Sequence, residues 1–336
     1  MEPYDAILLV SFGGPEGMDD VIPFLENVLR GKNVPASRME QVAHHYYQFG
    51  GVSPINGHCR DLVEALKTEL QTRNLKLPIY WGNRNWHPLL EDTVQRMTND
   101  GIRHALAFVT SAYSSYSSCR QYLEDIERAC GTVGDTAPKI DKLPAFFCDP
   151  SFAEVNAIHV QAAIDSIPVN RRAAAKLVFT AHSIPLSMAD NCSYVEQLKE
   201  VSASVASRVG KLQWDLVYQS RSGPPSQPWL APDICEFVVE LAADGAQDIV
   251  VAPVGFISDH IEVIYDLDLE AKRVAEELGV NLVRAATAGC NPVFISMLGR
   301  LISDRLRDSA NGDLEFSVCS SDCCPSGRPA SRPALT

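Results

Sequence analysis

Residues 176–185, KLVFTAHSIP, give the strongest indication of the fold. An apolar run there is followed at once by a tight loop and a proline. Residues 6–15, AILLVSFGGP, repeat that order near the start of the chain. A short apolar run bounded by turn residues is typical of a buried strand in a parallel sheet. The repetition predicts two similar α/β lobes that meet near residues 145–175.

Short β-branched or aromatic runs alternate with longer amphipathic ones, the pattern of parallel sheets flanked by helices. The predicted strands are 6–11, 78–81, 105–110, 177–181, 215–219, 248–253 and 281–285. The predicted helices are 18–30, 58–73, 88–100, 118–129, 151–165, 193–208, 231–243, 259–278 and 292–307. We therefore expect lobes at 1–150 and 151–288, a helix at 289–316 that packs back on them, and an irregular Cys-rich tail at 317–336.

The charge of the chain argues against two classes of partner. Its formal net charge is −13, and it contains no run of Lys or Arg. Nucleic acids and anionic membranes both require clustered cations. The first residues, MEPYDAILLVSFGG, lack a basic segment, and their apolar run is too short to span a bilayer. We expect a soluble, cytoplasmic protein with no transmembrane segment.

Residues 251–270, VAPVGFISDHIEVIYDLDLE, carry an apolar run into a group of acids. If this segment is helical, Glu262, Asp266 and Glu270 form one stripe at spacings of four residues. Such a stripe can be the solvated face of a helix. Here, however, apolar residues surround the acids, and buried carboxylates need a partner. The stripe predicts a site that handles a cation or a proton.

Two histidines follow predicted strands, His182 after 177–181 and His260 after 248–253. A lone histidine in such a place is often an ordinary loop residue. Ligands of open α/β sheets, however, collect at the carboxyl ends of strands, and imidazole both accepts protons and ligates Fe²⁺. We predict a metal site formed by His182, His260, Glu262, Asp266 and Glu270.

Four loops combine aromatic residues, small hydroxyls and single arginines, at 50–56, 81–88, 110–119 and 218–230. Together they fit a large planar ligand with anionic edges, whose carboxylates Arg84 or Arg221 could bind in a fork. The GGP sequence at 13–15 lacks the glycine motifs of nucleotide sites, which argues against an NAD-dependent oxidoreductase.

The chain has ten cysteines, and three of them crowd into CSSDCCP at 319–325. Thiolates favour zinc or an iron–sulfur cluster. The adjacent Cys323 and Cys324 fit zinc spacing poorly, so we expect a 2Fe–2S cluster on Cys319, Cys323 and Cys324. Cys148 is the preferred fourth ligand, and Cys119 is its rival.

The chain resembles the ferrochelatases, which insert ferrous iron into a porphyrin in haem synthesis. SFGGP, FTAHSIP, YQSRSGPPSQPWL and GFISDHIEVIYDLD occur in the family's order, over residues 4–307. Actinobacterial-type members, many of which use coproporphyrin III instead of protoporphyrin IX, are the most similar, including the CCP-containing tail. The resemblance implies a lyase with two Rossmann-like, chelatase-type lobes and the porphyrin in the cleft between them.

The resemblance also implies roles for individual residues. His182 is the active-site histidine, Glu262 its acidic partner across the cleft, and Asp266 and Glu270 an acidic path away from the metal. Phe12 replaces a tyrosine that is proposed to contact iron in some bacterial relatives. The tail resembles tails that bind a 2Fe–2S cluster, although the internal ligand position of human-type members aligns near Val155.

From these observations we predict which residues meet the porphyrin. Ring contacts are expected from Phe12, Ser53, Pro54, Tyr113 and Trp229, and propionate contacts from Arg84, Tyr218 or Ser222. Fe²⁺ is the second substrate, and enzymes of the haem pathway are candidate partners. Two alternatives stay open: a chelatase that inserts another metal, and a non-catalytic tetrapyrrole or metal carrier.

Overall fold

The computed structural model describes residues 4–31, 34–224, 226–311 and 323–326. Within these residues, eight strands form two parallel sheets of four. The first sheet contains β1 (Ala6–Ser11), β2 (Ile79–Asn83), β3 (His104–Val109) and β4 (Lys139–Lys142). The second contains β5 (Lys176–His182), β6 (Trp214–Gln219), β7 (Asp248–Ala252) and β8 (Asn281–Arg284). The predicted fold class of two helix-flanked parallel sheets is confirmed.

The two sheets share one topology. Their strand orders are β2-β1-β3-β4 and β6-β5-β7-β8, so the repeated motif at β1 and β5 occupies the same interior place in each. In the first sheet the chain passes from β1 to β2 on one side and from β3 to β4 on the other, and in the second sheet β5 and β7 lead to opposite sides in the same way. The β1/β3 and β5/β7 boundaries are therefore switch points, where such sheets bind ligands.

Helices connect the strands and cover both faces of the sheets. They are α1 (Val21–Leu29), α2 (Ala36–Tyr47), α3 (Ile55–Thr72), α4 (Leu90–Asn99), α5 (Gln121–Val133), α6 (Pro150–Asp165), α7 (Val169–Arg172), α8 (Leu186–Ala189), α9 (Tyr194–Arg208), α10 (Ile234–Ala243), α11 (Ile261–Val263), α12 (Lys272–Glu277) and α13 (Pro292–Asn311). A short 3₁₀ turn covers Met18–Asp20, and π-helices cover Tyr116–Arg120 and Ile264–Ala271.

The sequence patterns missed two elements of the first lobe. The edge strand β4, KIDK, is half-exposed and has a single apolar residue, so it lacks the signal of a buried strand. The helix α2, ASRMEQVAHHYY, buries only Ala43. The segment predicted as one helix at 259–278 is also divided, because the central π-helix separates α11 from α12.

One apolar core joins the two lobes. It runs from β1 and α3 of the first lobe through α6 to β5 and α9 of the second. The helix α13 packs against both α3 and α6. The ring centroids of Phe152 on α6 and Phe294 on α13 lie 6.2 Å apart. In the described part of the chain, no helix is both long and apolar enough to cross a bilayer.

Candidate active site

The structure brings His182, His260 and Glu262 together at the β5/β7 switch point. His182 is the last residue of β5. After β7, His260 directly precedes α11, and Glu262 lies within that short helix. The Nε2 atom of His182 lies 3.5 Å from Oε2 of Glu262, and Nδ1 of His260 lies 3.9 Å from the same oxygen. A single carboxylate therefore stands between two imidazoles.

The other ring nitrogen of His182, Nδ1, forms a hydrogen bond with the backbone. Its Nδ1 lies 2.5 Å from the carbonyl oxygen of Ser183. Because a carbonyl can only accept, Nδ1 carries a proton and donates it. Nε2 is then the nitrogen that exchanges protons or metal on the side of Glu262.

The electrostatics of this group favour an ion pair. Burial alone would lower the pKa of His182, but the Glu262 carboxylate outweighs it and raises that pKa to about 9. Burial opposes ionisation of Glu262, yet His182, His260 and His45 lower its pKa to about 2. Burial lowers the pKa of His260. At neutral pH one charged and one neutral imidazole flank an ionised carboxylate.

Asp266 lies next to this group on the π-helix. Its Oδ2 accepts a short hydrogen bond from the Ser220 hydroxyl. The same oxygen accepts a second hydrogen bond, of 3.3 Å, from Nε2 of Gln219. Burial raises its pKa to about 7, with help from Glu262 and Glu270 and against the Ser220 bond. A carboxyl group with this pKa gains and loses a proton near neutral pH. Glu270, at the far end of the π-helix, is half-buried.

The first lobe contributes residues that the sequence reasoning missed. On α2, the ring of His45 stacks on Tyr265 of the π-helix, with centroids 3.8 Å apart and planes inclined by 7°. Tyr46 packs edge-on against Phe24 at 5.6 Å. The charge of Glu262 raises the pKa of Tyr46 beyond the effect of burial. The HHYY sequence before the 50–56 loop was the available signal.

Four of the predicted porphyrin contacts keep some open surface. Phe12, Pro54 and Trp229 are partly exposed, and Ser222 is exposed. The Phe12 ring packs edge-on against Phe24 at 6.2 Å. The indole Nε1 of Trp229 is buried and has no hydrogen-bond partner among the described residues.

The side chains of the other four predicted porphyrin contacts are largely buried. Arg84 forms a short ion pair with Asp125, and both side chains are only 7% exposed. Tyr113 is 1% exposed, and its hydroxyl donates to the carbonyl of Val254 at 2.7 Å. Ser53 and Tyr218 are 4% and 5% exposed. Their contacts with a porphyrin stay a prediction.

The cysteine site lies partly outside the described residues, since Cys319 is not among them. Cys119 is buried, Cys148 is exposed, and Cys323 and Cys324 are half-buried. Burial lowers the pKa of Arg120, but Glu124, Glu127 and the charge of Cys323 raise it overall. Cys323 therefore lies near Arg120, the neighbour of Cys119.

No group of three or more His, Cys, Asp or Glu side chains in the described ranges has a geometry ready to hold a metal ion. His182, His260 and Glu262 converge, but at the separations of an ion pair.

Comparison with known proteins gives consistent results. The ferrochelatase family model matches residues 4–306. The chain is 50% identical to a ferrochelatase of Rhodopirellula baltica, over 96% of this chain and 94% of that protein. It is 47% identical to a coproporphyrin III ferrochelatase of Nocardia farcinica, over 97% and 98%. Among solved structures, SirB from Bacillus subtilis with Fe³⁺ has the same fold, with a TM-score of 0.53 and 13% identity over 91% and 97% of the two chains.

Proposed function

Since the chain belongs to the ferrochelatase family, we propose that it inserts Fe²⁺ into coproporphyrin III at the cleft between residues 1–150 and 151–288. Iron insertion into a porphyrin, a lyase reaction of haem biosynthesis, is the activity of this family. The choice of coproporphyrin III rests on the relatives with that name, such as the Nocardia protein. The observation that carries the proposal is the Glu262 carboxylate between His182 and His260.

The reaction exchanges one Fe²⁺ for two pyrrole protons, so the site must hold a cation and remove protons. Glu262 and the neutral His260 supply an anionic oxygen and a nitrogen lone pair, which are suitable ligands for Fe²⁺. When iron displaces the His182 imidazolium from Glu262, His182 loses the anion that raised its pKa and gains a cationic neighbour. It then releases its proton to the ionised Asp266 carboxylate, and the free Nε2 accepts the first pyrrole proton. After Asp266 passes its proton to solvent, the same transfer from Nε2 to Asp266 frees Nε2 for the second pyrrole proton.

The remaining acids of the segment provide the route for the protons. Asp266 is next along the segment and changes protonation near neutral pH. Glu270 follows at the end of the π-helix. We assign these two residues to proton transfer away from the porphyrin, or to entry of hydrated iron, and His182 and Glu262 to the chemical step.

Porphyrin contacts are assigned to the partly exposed residues Phe12, Pro54, Ser222 and Trp229. Apolar rings cover the macrocycle, and hydroxyls bind its anionic edges. Coproporphyrin III has four carboxylates and protoporphyrin IX has two. The exposed loop that holds Ser222 and Arg221 is therefore the proposed source of the additional propionate contacts.

A direct comparison of the two porphyrins tests the choice of substrate. Purified protein is given Fe²⁺ without oxygen, together with coproporphyrin III or protoporphyrin IX, and the metalloporphyrin absorption is followed over many turnovers. We expect a higher kcat/KM with coproporphyrin III. Equal values, or a preference for protoporphyrin IX, would contradict the choice of substrate but not the activity.

A 2Fe–2S cluster on the tail is a second proposal, and the chemistry of its donors supports it. Cys319, Cys323 and Cys324 would supply three thiolates. The proximity of Cys323 to Arg120 favours Cys119 over Cys148 as the fourth. Anaerobic reconstitution should give charge-transfer absorption that Cys119→Ser abolishes and Cys148→Ser leaves intact. The absence of these bands in the wild type would contradict the cluster.

Partner enzymes of the haem pathway stay a prediction.

A further inference from the structure

Ser220 has a backbone conformation that serine rarely adopts. Its φ angle is +62°, and among the described residues only Asn74 and Cys324 are also non-glycine residues with positive φ. Asn tolerates this left-handed region, and glycine would adopt it without cost. Strain of this kind persists where the surrounding structure requires the side chain.

The hydroxyl of Ser220 bonds directly to the acidic segment. It donates a short hydrogen bond to Oδ2 of Asp266. Ser220 lies directly after β6, and its left-handed backbone places the hydroxyl within hydrogen-bond distance of Asp266. A glycine at this position would remove the backbone strain, but it would also remove the hydrogen bond to Asp266. That bond is therefore what the serine side chain adds.

The preceding residue extends the same connection. Gln219 is 1% exposed, and its Nε2 donates to the carbonyl oxygen of Glu262 at 2.8 Å and to Oδ2 of Asp266 at 3.3 Å. In the second sheet, Gln219 pairs with His182. The end of β6 therefore fixes the positions of the two acids relative to the histidine.

We propose that Ser220 and Gln219 are positioning residues that hold Asp266 and the Glu262 backbone in register with His182, and that the chain tolerates a strained serine for this purpose. The inference rests on the proposed roles of Glu262 and Asp266 and adds two residues to them. Neither side chain needs to touch iron or the porphyrin.

Replacement of Ser220 by glycine and by alanine separates the backbone role from the side-chain role. Ser220→Gly removes both the strain and the hydroxyl, whereas Ser220→Ala removes the hydroxyl and keeps the strain. We expect kcat to fall about 10-fold or more in both variants, because small displacements of reacting groups are costly. The Kd for the porphyrin should be unchanged, and Ser220→Gly should melt at a higher temperature than Ser220→Ala.

Asn74→Gly is the matched control, since Asn74 has the same backbone conformation (φ +59°) at an exposed position after α3. It should keep full turnover. If Ser220→Gly also retains full kcat, Ser220 has only a structural role in the turn after β6, and the inference is wrong.

The wild type is assayed in parallel with Fe²⁺ and coproporphyrin III. Absence of turnover there would contradict the proposed function itself, which distinguishes the two failures.

Discussion

Glu262 acts through its charge, which a shape-preserving substitution can remove. In Glu262→Gln the carboxylate that raises the pKa of His182 is absent, so His182 should titrate at a lower pH. Because the amide cannot hold Fe²⁺ as an anion does, we expect kcat to fall by about 10²-fold or more. Rates of metalloporphyrin formation, with porphyrin binding measured separately, test this. A variant that turns over at the wild-type rate would contradict the role of the charge.

The same ion pair predicts how stability depends on pH. The folded-state pKa of His182 is raised, so its contribution is fully present below its ordinary value of 6.5 and is lost as the pH rises to about 9. The folded-state pKa of Glu262 is lowered, so its contribution is present above 4.5 and is lost as the pH falls to about 2. The stability difference between wild type and Glu262→Gln should therefore be largest between pH 4.5 and 6.5. Chemical unfolding at a series of pH values measures it, and a difference that grows from pH 7 to 9 would contradict the pairing.

At the scale of elements, Arg284 at the end of β8 fixes both sides of the catalytic segment. It binds Asp259, directly before His260, through two nitrogens at 3.0 and 3.1 Å, and Asp268 of the π-helix at 2.6 and 2.9 Å. Lysine cannot form this double fork. We expect Arg284→Lys to lose about 1–3 kcal/mol of unfolding free energy and to lower turnover. Arg273→Lys, at an exposed pair with Glu277, is the control. Equal effects of the two variants would contradict the prediction.

Gly255 illustrates the close approach that β5 requires before His182. A Cβ atom on Gly255 would lie 2.6 Å from both Cα and Cβ of Ala181. Gly255→Ala should therefore displace the end of β5, at a cost of about 1–3 kcal/mol, and lower kcat. Gly131→Ala, where a Cβ meets nothing within 4 Å inside α5, should instead stabilise the protein slightly. Denaturant unfolding of both variants checks the contrast, and a Gly255→Ala protein as stable as the wild type would contradict it.

Most strands, and the convergence of His182, His260 and Glu262, could be predicted because their signals are local. β1 and β7 are short apolar runs, and His182, His260 and Glu262 lie at or after strand ends. The π-helix could not be predicted, since Ile264–Ala271 has the same apolar pattern as an α-helix. The role of Arg84 also required the structure, because its partner Asp125 is 41 residues away.

At the scale of the whole molecule, the lobes share one core and should unfold together. Tyr113 connects them through its bond to Val254. Tyr113→Phe leaves that buried carbonyl without its donor, at a cost of about 1–3 kcal/mol. We expect calorimetry to show one transition for the two lobes, moved to lower temperature in the variant. Two separate transitions would contradict a shared core.

Iron insertion is assigned to one imidazole, so His182→Ala tests that assignment most directly. The purified variant is given Fe²⁺ and coproporphyrin III without oxygen, and metalloporphyrin absorption is followed together with porphyrin binding and thermal unfolding. We predict a folded protein that binds the porphyrin as the wild type does and inserts iron at a small fraction of its rate. Full turnover in this variant would contradict the assigned centre.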